Sequence, residues 1–166
     1  MPTRPESSAA EATGLSTEGA QDRDVEALNQ LIADATVFYQ KVRHYHWNVE
    51  GRHFFELHAK FEALYTAGAG IIDDLADRVR ALGVRPLHTL ANVLENATLE
   101  EDPTTPDGVE MMRRLAADLE RIHAAIDEAR DQAIEQYDQG TADLMTDLQV
   151  RIEKDLWMMK AWLKEA

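Results

Sequence analysis

From Asp22 to Leu163, apolar residues return every three or four positions in four long blocks. A chain patterned this way buries those residues by forming amphipathic helices that pack on one another. The first block carries Leu28, Leu31, Ile32, Ala35, Phe38, Tyr39, Val42 and His46 and ends near Val49–Gly51. The second runs from about His53 to Leu82 with the stripe Phe54, Leu57, Phe61, Leu64, Gly68, Ile71, Leu75 and Val79. Gly83 ends it, and Pro86 bars its continuation. Thr105–Pro106 reads as a cap followed by proline at the first helical position. It opens a third block through Val109, Met112, Ala116, Leu119, Ile122, Ile126, Ala129 and Ala133. Gly140 breaks that pattern, and a fourth block from about Thr141 shows Leu144, Leu148, Ile152, Leu156, Met159 and Leu163. No segment alternates in the manner of a strand.

Loop lengths then choose the topology. Helices one and two are tightly joined, as are three and four, so each pair forms an antiparallel hairpin. The middle connection, about 22 residues, is long enough to cross the bundle end to end. Within it, Thr89–Asn96 reads as a short helix with Leu90, Val93 and Leu94 facing inward. One long crossover is the ferritin-like connectivity. The expected fold is therefore all-α, a ferritin-like four-helix bundle with a short extra helix between helices 2 and 3. Residues 1–21, rich in Ser, Ala, Thr, Glu and Gly and without periodicity, read as a disordered N-terminal tail. Residues 22–166 remain as a single domain, long enough for one well-buried core.

Composition narrows the function. With 17 basic against 31 acidic residues, the chain carries a formal charge of −14, a field that repels nucleic acid and attracts cations. A solubilising surface, adapted to high salt, accounts for the same excess, and only five of the basic residues are lysines. Cysteine is absent, which excludes disulfides, thiolate metal sites and a cysteine nucleophile. No apolar run reaches a membrane span, and the N-terminus lacks the apolar core of a secretory signal. A cytoplasmic protein is expected.

The chemistry concentrates between His46 and Asp77. His58 and Glu62 sit four residues apart, as do Asp73 and Asp77, so each pair shares a helix face. At about 100° per residue the four fall near 0°, 40°, 60° and 100°, along one stripe. The two pairs are nevertheless separated by roughly 22 Å of helix, at about 1.5 Å per residue. No single ion can touch both within one chain. If they act together, the His58 half-site of one subunit meets the Asp73 half-site of another across a two-fold axis. Two imidazoles (His46 and His58) and three carboxylates form a sulfur-free ligand set suited to iron, manganese or zinc. Trp47, beside His46, reads either as packing or as an oxidisable ring near such a centre.

The run HWNVEG (His46–Gly51), a second histidine at His58 and D-x-x-A-D-R at Asp73–Arg78 resemble the Dps family of miniferritins. The resemblance spans the chain from about Asp22, including the short crossover helix and the closing KDLWMMKAWL (Lys154–Leu163). It implies that His46, His58 and Glu62 come from one subunit and Asp73 and Asp77 from its two-fold mate, in agreement with the spacing. The family more often has Asp where Glu62 stands and Glu where Asp77 stands, so reach changes by about one methylene in opposite senses. The resemblance also implies a ferroxidase that oxidises Fe(II), preferentially with hydrogen peroxide. The ferric iron is stored in a hollow homododecamer, protecting the cell from oxidative damage. Acidic three-fold pores would admit iron. Asp138 and Asp143, flanking Gly140, are the candidates by position, or else a capped and solvated helix junction.

An alternative is a DNA-compacting protein of the same cage architecture. Its termini argue against it: the tail sets Arg4 against Glu6, Glu11 and Glu18, where counterion release needs several Lys/Arg contacts. A plain helical interaction protein with a solvated carboxylate stripe is the third reading.

Overall fold

The structure, a computed structural model, describes residues 17–164 and contains five helices, α1 (Thr17–Asn48), α2 (Phe54–Ala81), α3 (Leu90–Asn96), α4 (Gly108–Glu135) and α5 (Gln139–Leu163). Most of the tail expected over residues 1–21 lies outside the described residues. The last part of it does not, because α1 begins at Thr17 instead of Asp22. Glu18, Ala20 and Gln21 are good helix formers, and propensity extends the helix there without any apolar period. Among the described residues there is no strand.

The long helices form an all-α four-helix bundle. α1 packs on α2 and α4, α4 packs on α5, and the short α3 lies against α1. Residues 49–53 join the first hairpin, 136–138 the second, and 82–107 cross between them. Leu28, Leu31, Leu57, Phe61, Leu75, Met111, Leu115, Ile126, Met145, Leu148 and Met159 are fully buried. Each stabilises the bundle by about 1.5–3 kcal/mol of transfer free energy.

Two helix ends share one geometry. At the end of α2 the Val84 amide donates to Val79 O (3.2 Å) and the Gly83 amide to Arg80 O (3.0 Å), with Gly83 at φ +87°. This is the Schellman arrangement, which needs a left-handed residue. At the end of α4 the Asp138 amide donates to Ala133 O (2.9 Å) and the Tyr137 amide to Ile134 O (3.1 Å). Here the left-handed residue is Tyr137, φ +59°, with its side chain almost fully exposed. The break expected at Gly140 therefore occurs three residues earlier, and Gly140 lies within α5. Its missing side chain makes room for Arg78, because a Cβ there would stand 2.8 Å from a guanidinium nitrogen. A left-handed tyrosine is strained by roughly 1 kcal/mol. Tyr137→Gly is expected to stabilise the chain by about 0.5–1 kcal/mol in denaturant titration. An unchanged or lower midpoint would show that the phenol makes up that strain elsewhere.

The crossover differs from expectation in how it is held. α3 starts at Leu90 behind a Thr89 cap, whose hydroxyl accepts from the Asn92 amide (3.2 Å). Val93 is buried as expected, but Leu90 and Leu94 face outward, 74% and 51% exposed. Polar groups of α1 take over the anchoring. Asn29 Oδ1 accepts from the Leu87 amide (3.0 Å), Gln30 Nε2 donates to Asn96 O (2.6 Å), and buried Asp34 accepts from the Thr98 and Leu99 amides (2.6 and 2.8 Å). α4 likewise starts two residues later than Thr105–Pro106 implied. Asp107 is its cap, accepting from the Glu110 amide (3.0 Å), and Pro106 lies outside the helix.

Candidate metal centre

His46 sits in the last turns of α1 and His58 in the second turn of α2, so the tight turn at residues 49–53 folds one over the other. Their rings stack, centroids 3.8 Å apart and 22° between planes. His46 Nδ1 lies 2.8 Å from His58 O, and His58 Nδ1 lies 2.9 Å from His46 O. A carbonyl oxygen can only accept, so both Nδ1 atoms carry the proton and donate. That fixes one tautomer in each ring and leaves both Nε2 lone pairs for a ligand. Phe54 stacks on His58 (5.1 Å) and Tyr65 stands edge-on to His46 (5.2 Å), so aromatic rings hold the pair from either side.

Glu62, Asp73 and Asp77 are exposed on α2, and none makes a hydrogen bond or ion pair among the described residues. Within one chain no three His, Asp or Glu side chains converge on a common point among those residues. The structure thus brings His46 and His58 together and leaves the three carboxylates free. Trp47 is 58% exposed, with one face under the Arg43 guanidinium 4.8 Å from the ring centroid.

Asp138 is engaged more fully than its position alone suggested. It caps α5, accepting from the Thr141 amide (3.1 Å) and hydroxyl (2.6 Å), and pairs with Arg78 Nη2 at 2.5 Å. Partial burial pushes its carboxyl up, but the Thr141 bonds and Arg78 outweigh this and hold it below the usual range. Asp143 is exposed and, among the described residues, accepts only from Gln139 Nε2 (2.6 Å).

Sequence spacing gave no sign of a network beside His46. Tyr45 is wholly buried and its hydroxyl donates to Asp102. Asp102 also accepts from Arg114 Nη1 (2.8 Å) and from the Thr104 amide (2.8 Å) and hydroxyl (2.6 Å). Burial, then the bond to Asp102, pushes the Tyr45 phenol above its ordinary value. Burial acts on Asp102 in the same upward sense, but the bonds from Thr104, Tyr45 and Arg114 prevail and hold its carboxyl far below the usual range. Tyr45 and Asp102 stand 57 positions apart, so no helical period connects them.

A family model described as a ferritin-like domain matches residues 25–166. The chain is 40% identical over 137 residues to the DNA protection during starvation protein of Brevibacillus brevis, covering 82% of this chain and 92% of that relative. It is 38% identical over 139 residues to general stress protein 20U of Bacillus subtilis, covering 84% and 96%. Among solved structures, the Dps protein of Vibrio cholerae superposes with a TM-score of 0.86 at 38% identity, covering 96% of this chain and 99% of that one. It is described there as a member of a broad superfamily of ferritin-like diiron-carboxylate proteins. The Dps protein of Bacillus brevis gives 0.85 at 39% identity, covering 87% and 97%.

Proposed function

Because the chain belongs to the Dps family of ferritin-like proteins, we propose that it is a ferroxidase. It oxidises Fe(II) with hydrogen peroxide and stores the ferric product inside a closed homododecamer, in the cytoplasm. The observation that carries this reading is the reciprocal histidine pair, with both Nδ1 atoms occupied and both Nε2 atoms free. Imidazole lone pairs lie in the ring plane. Lone pairs in two stacked rings, centroids 3.8 Å apart and planes only 22° from parallel, do not converge on one ion at a ligand distance of about 2 Å. Each ring therefore serves its own iron, and two neighbouring irons supply the two electrons that one peroxide takes up.

Carboxylates complete the site. Glu62 belongs to the same subunit as the histidines, while Asp73 and Asp77 come from the partner subunit. Three exposed carboxylates without partners among the described residues agree with that role, since hard oxygen ligands suit iron substrates. Trp47 lies within the same segment as an oxidisable ring. Entry of iron falls to the α4–α5 end, where Arg78 offsets the charge of Asp138 and leaves Asp143 as the freer carboxylate. No helix of the described residues is long and apolar enough to cross a membrane.

Compaction of DNA by the same cage is less well supported, because a −14 chain offers few cations for phosphate contacts. Adding Fe(II) and peroxide to the purified assembly is expected to give soluble, iron-filled particles that sediment with the protein. Loose ferric hydroxide would contradict storage. A DNA gel shift that persists at physiological salt would favour the compaction reading.

A further inference from the structure

The final turns of α1 are tied to the crossover at two points. His44 Nε2 donates to Thr104 O (2.8 Å), and the Tyr45 hydroxyl donates to Asp102. Asp102 is gripped in turn by Arg114 of α4 and by Thr104, so the tie runs from α1 through residues 102–104 into α4. Packing does not demand a phenol here, because phenylalanine has nearly the same volume. A wholly buried hydroxyl costs free energy unless it is bonded, and this one has a charged acceptor. The next residue is His46, whose ring must reach His58 O in one alignment. Hydrogen bonds lose strength steeply as alignment fails.

We propose that Tyr45 and Asp102 are positioning residues that hold the end of α1, and with it the His46 imidazole, in the register the metal centre uses. The inference rests on reading His46 and His58 as metal ligands. Asp34 provides an internal contrast. It also ties the crossover to α1, through Thr98 and Leu99, but roughly 18 Å upstream of His46 along the helix. Loss of that tie loosens the crossover without touching the register of His46.

The test uses the assembled protein with Tyr45→Phe, Asp102→Ala and Asp34→Ala, and Co(II) alone as the probe. In metal-free protein, amide exchange over residues 44–48 is expected to quicken about tenfold in the first two variants and stay unchanged in Asp34→Ala. Co(II) affinity, read from visible absorbance, should fall about tenfold in the first two and hold in the third. Wild-type exchange and affinity in Tyr45→Phe overturns the proposal. Equal losses in Asp34→Ala overturn it too, since they mean general loosening. Co(II) binding that survives His46→Ala/His58→Ala refutes the metal reading itself and the inference with it, a result distinct from either.

Discussion

Replacing His46 and His58 together by alanine is expected to slow peroxide-driven Fe(II) oxidation by about two orders of magnitude or more, without dispersing the assembly. The expectation comes from the reciprocity of the pair. Each ring is oriented by the backbone of the other, and each presses on the other's face at 3.8 Å. Removing one ring therefore frees the second to rotate, so His46→Ala alone should come close to the double variant. Such non-additivity is the mark of groups that act as a unit. The fold should survive, because neither imidazole belongs to the apolar cluster that holds the bundle together. Stopped-flow oxidation, with size-exclusion chromatography on the same samples, checks both halves. Wild-type rates in the double variant would show that the centre lies elsewhere.

The largest expected loss of stability belongs to Asp118→Ala. Lys41 of α1 and Asp118 of α4 are paired at 2.6 Å with side chains only 8% and 12% exposed. Removing the carboxylate leaves an ammonium with no counter-charge in a buried setting, at a cost of about 3–5 kcal/mol. An exposed pair such as Lys160–Glu120, at 55% and 51%, should contribute less than about 1 kcal/mol. Substituting both partners by apolar residues, as in Lys41→Met/Asp118→Leu, should restore most of the loss. Denaturation midpoints at a fixed chain concentration measure all three. An Asp118→Ala midpoint no lower than that of Glu120→Ala would show that water reaches Lys41.

What the sequence revealed follows from which forces leave a periodic trace. Burial of leucines and phenylalanines at 3.6-residue spacing is periodic, so Leu57, Phe61, Leu64, Leu75 and Val79 were legible as one face. Asp34 was not legible, because an aspartate on a helix reads as a solvated residue until the amides of Thr98 and Leu99 arrive from the crossover. For the same reason Leu90 and Leu94 were expected inside: polar ties hold α3, and they have no period. The α4–α5 turn misled through residue type, since glycine marks left-handed backbone by default and Tyr137 occupies it instead. At the proposed metal centre, spacing grouped the carboxylates. It could not show that His46 and His58 exchange hydrogen bonds across a turn, nor that Tyr45 meets Asp102.

The claim on which the functional account depends most is that each centre draws histidines from one subunit and Asp73 and Asp77 from its two-fold partner. Mixed assemblies test it directly. Chains bearing His46→Ala/His58→Ala and chains bearing Asp73→Ala/Asp77→Ala are each expected to be inactive alone. When equal amounts are dissociated and reassembled together, a pair of unlike chains regains one intact centre and loses the other, so about a quarter of wild-type oxidation returns. Mixed assemblies that form normally yet stay as inactive as both parents would contradict a centre shared between subunits.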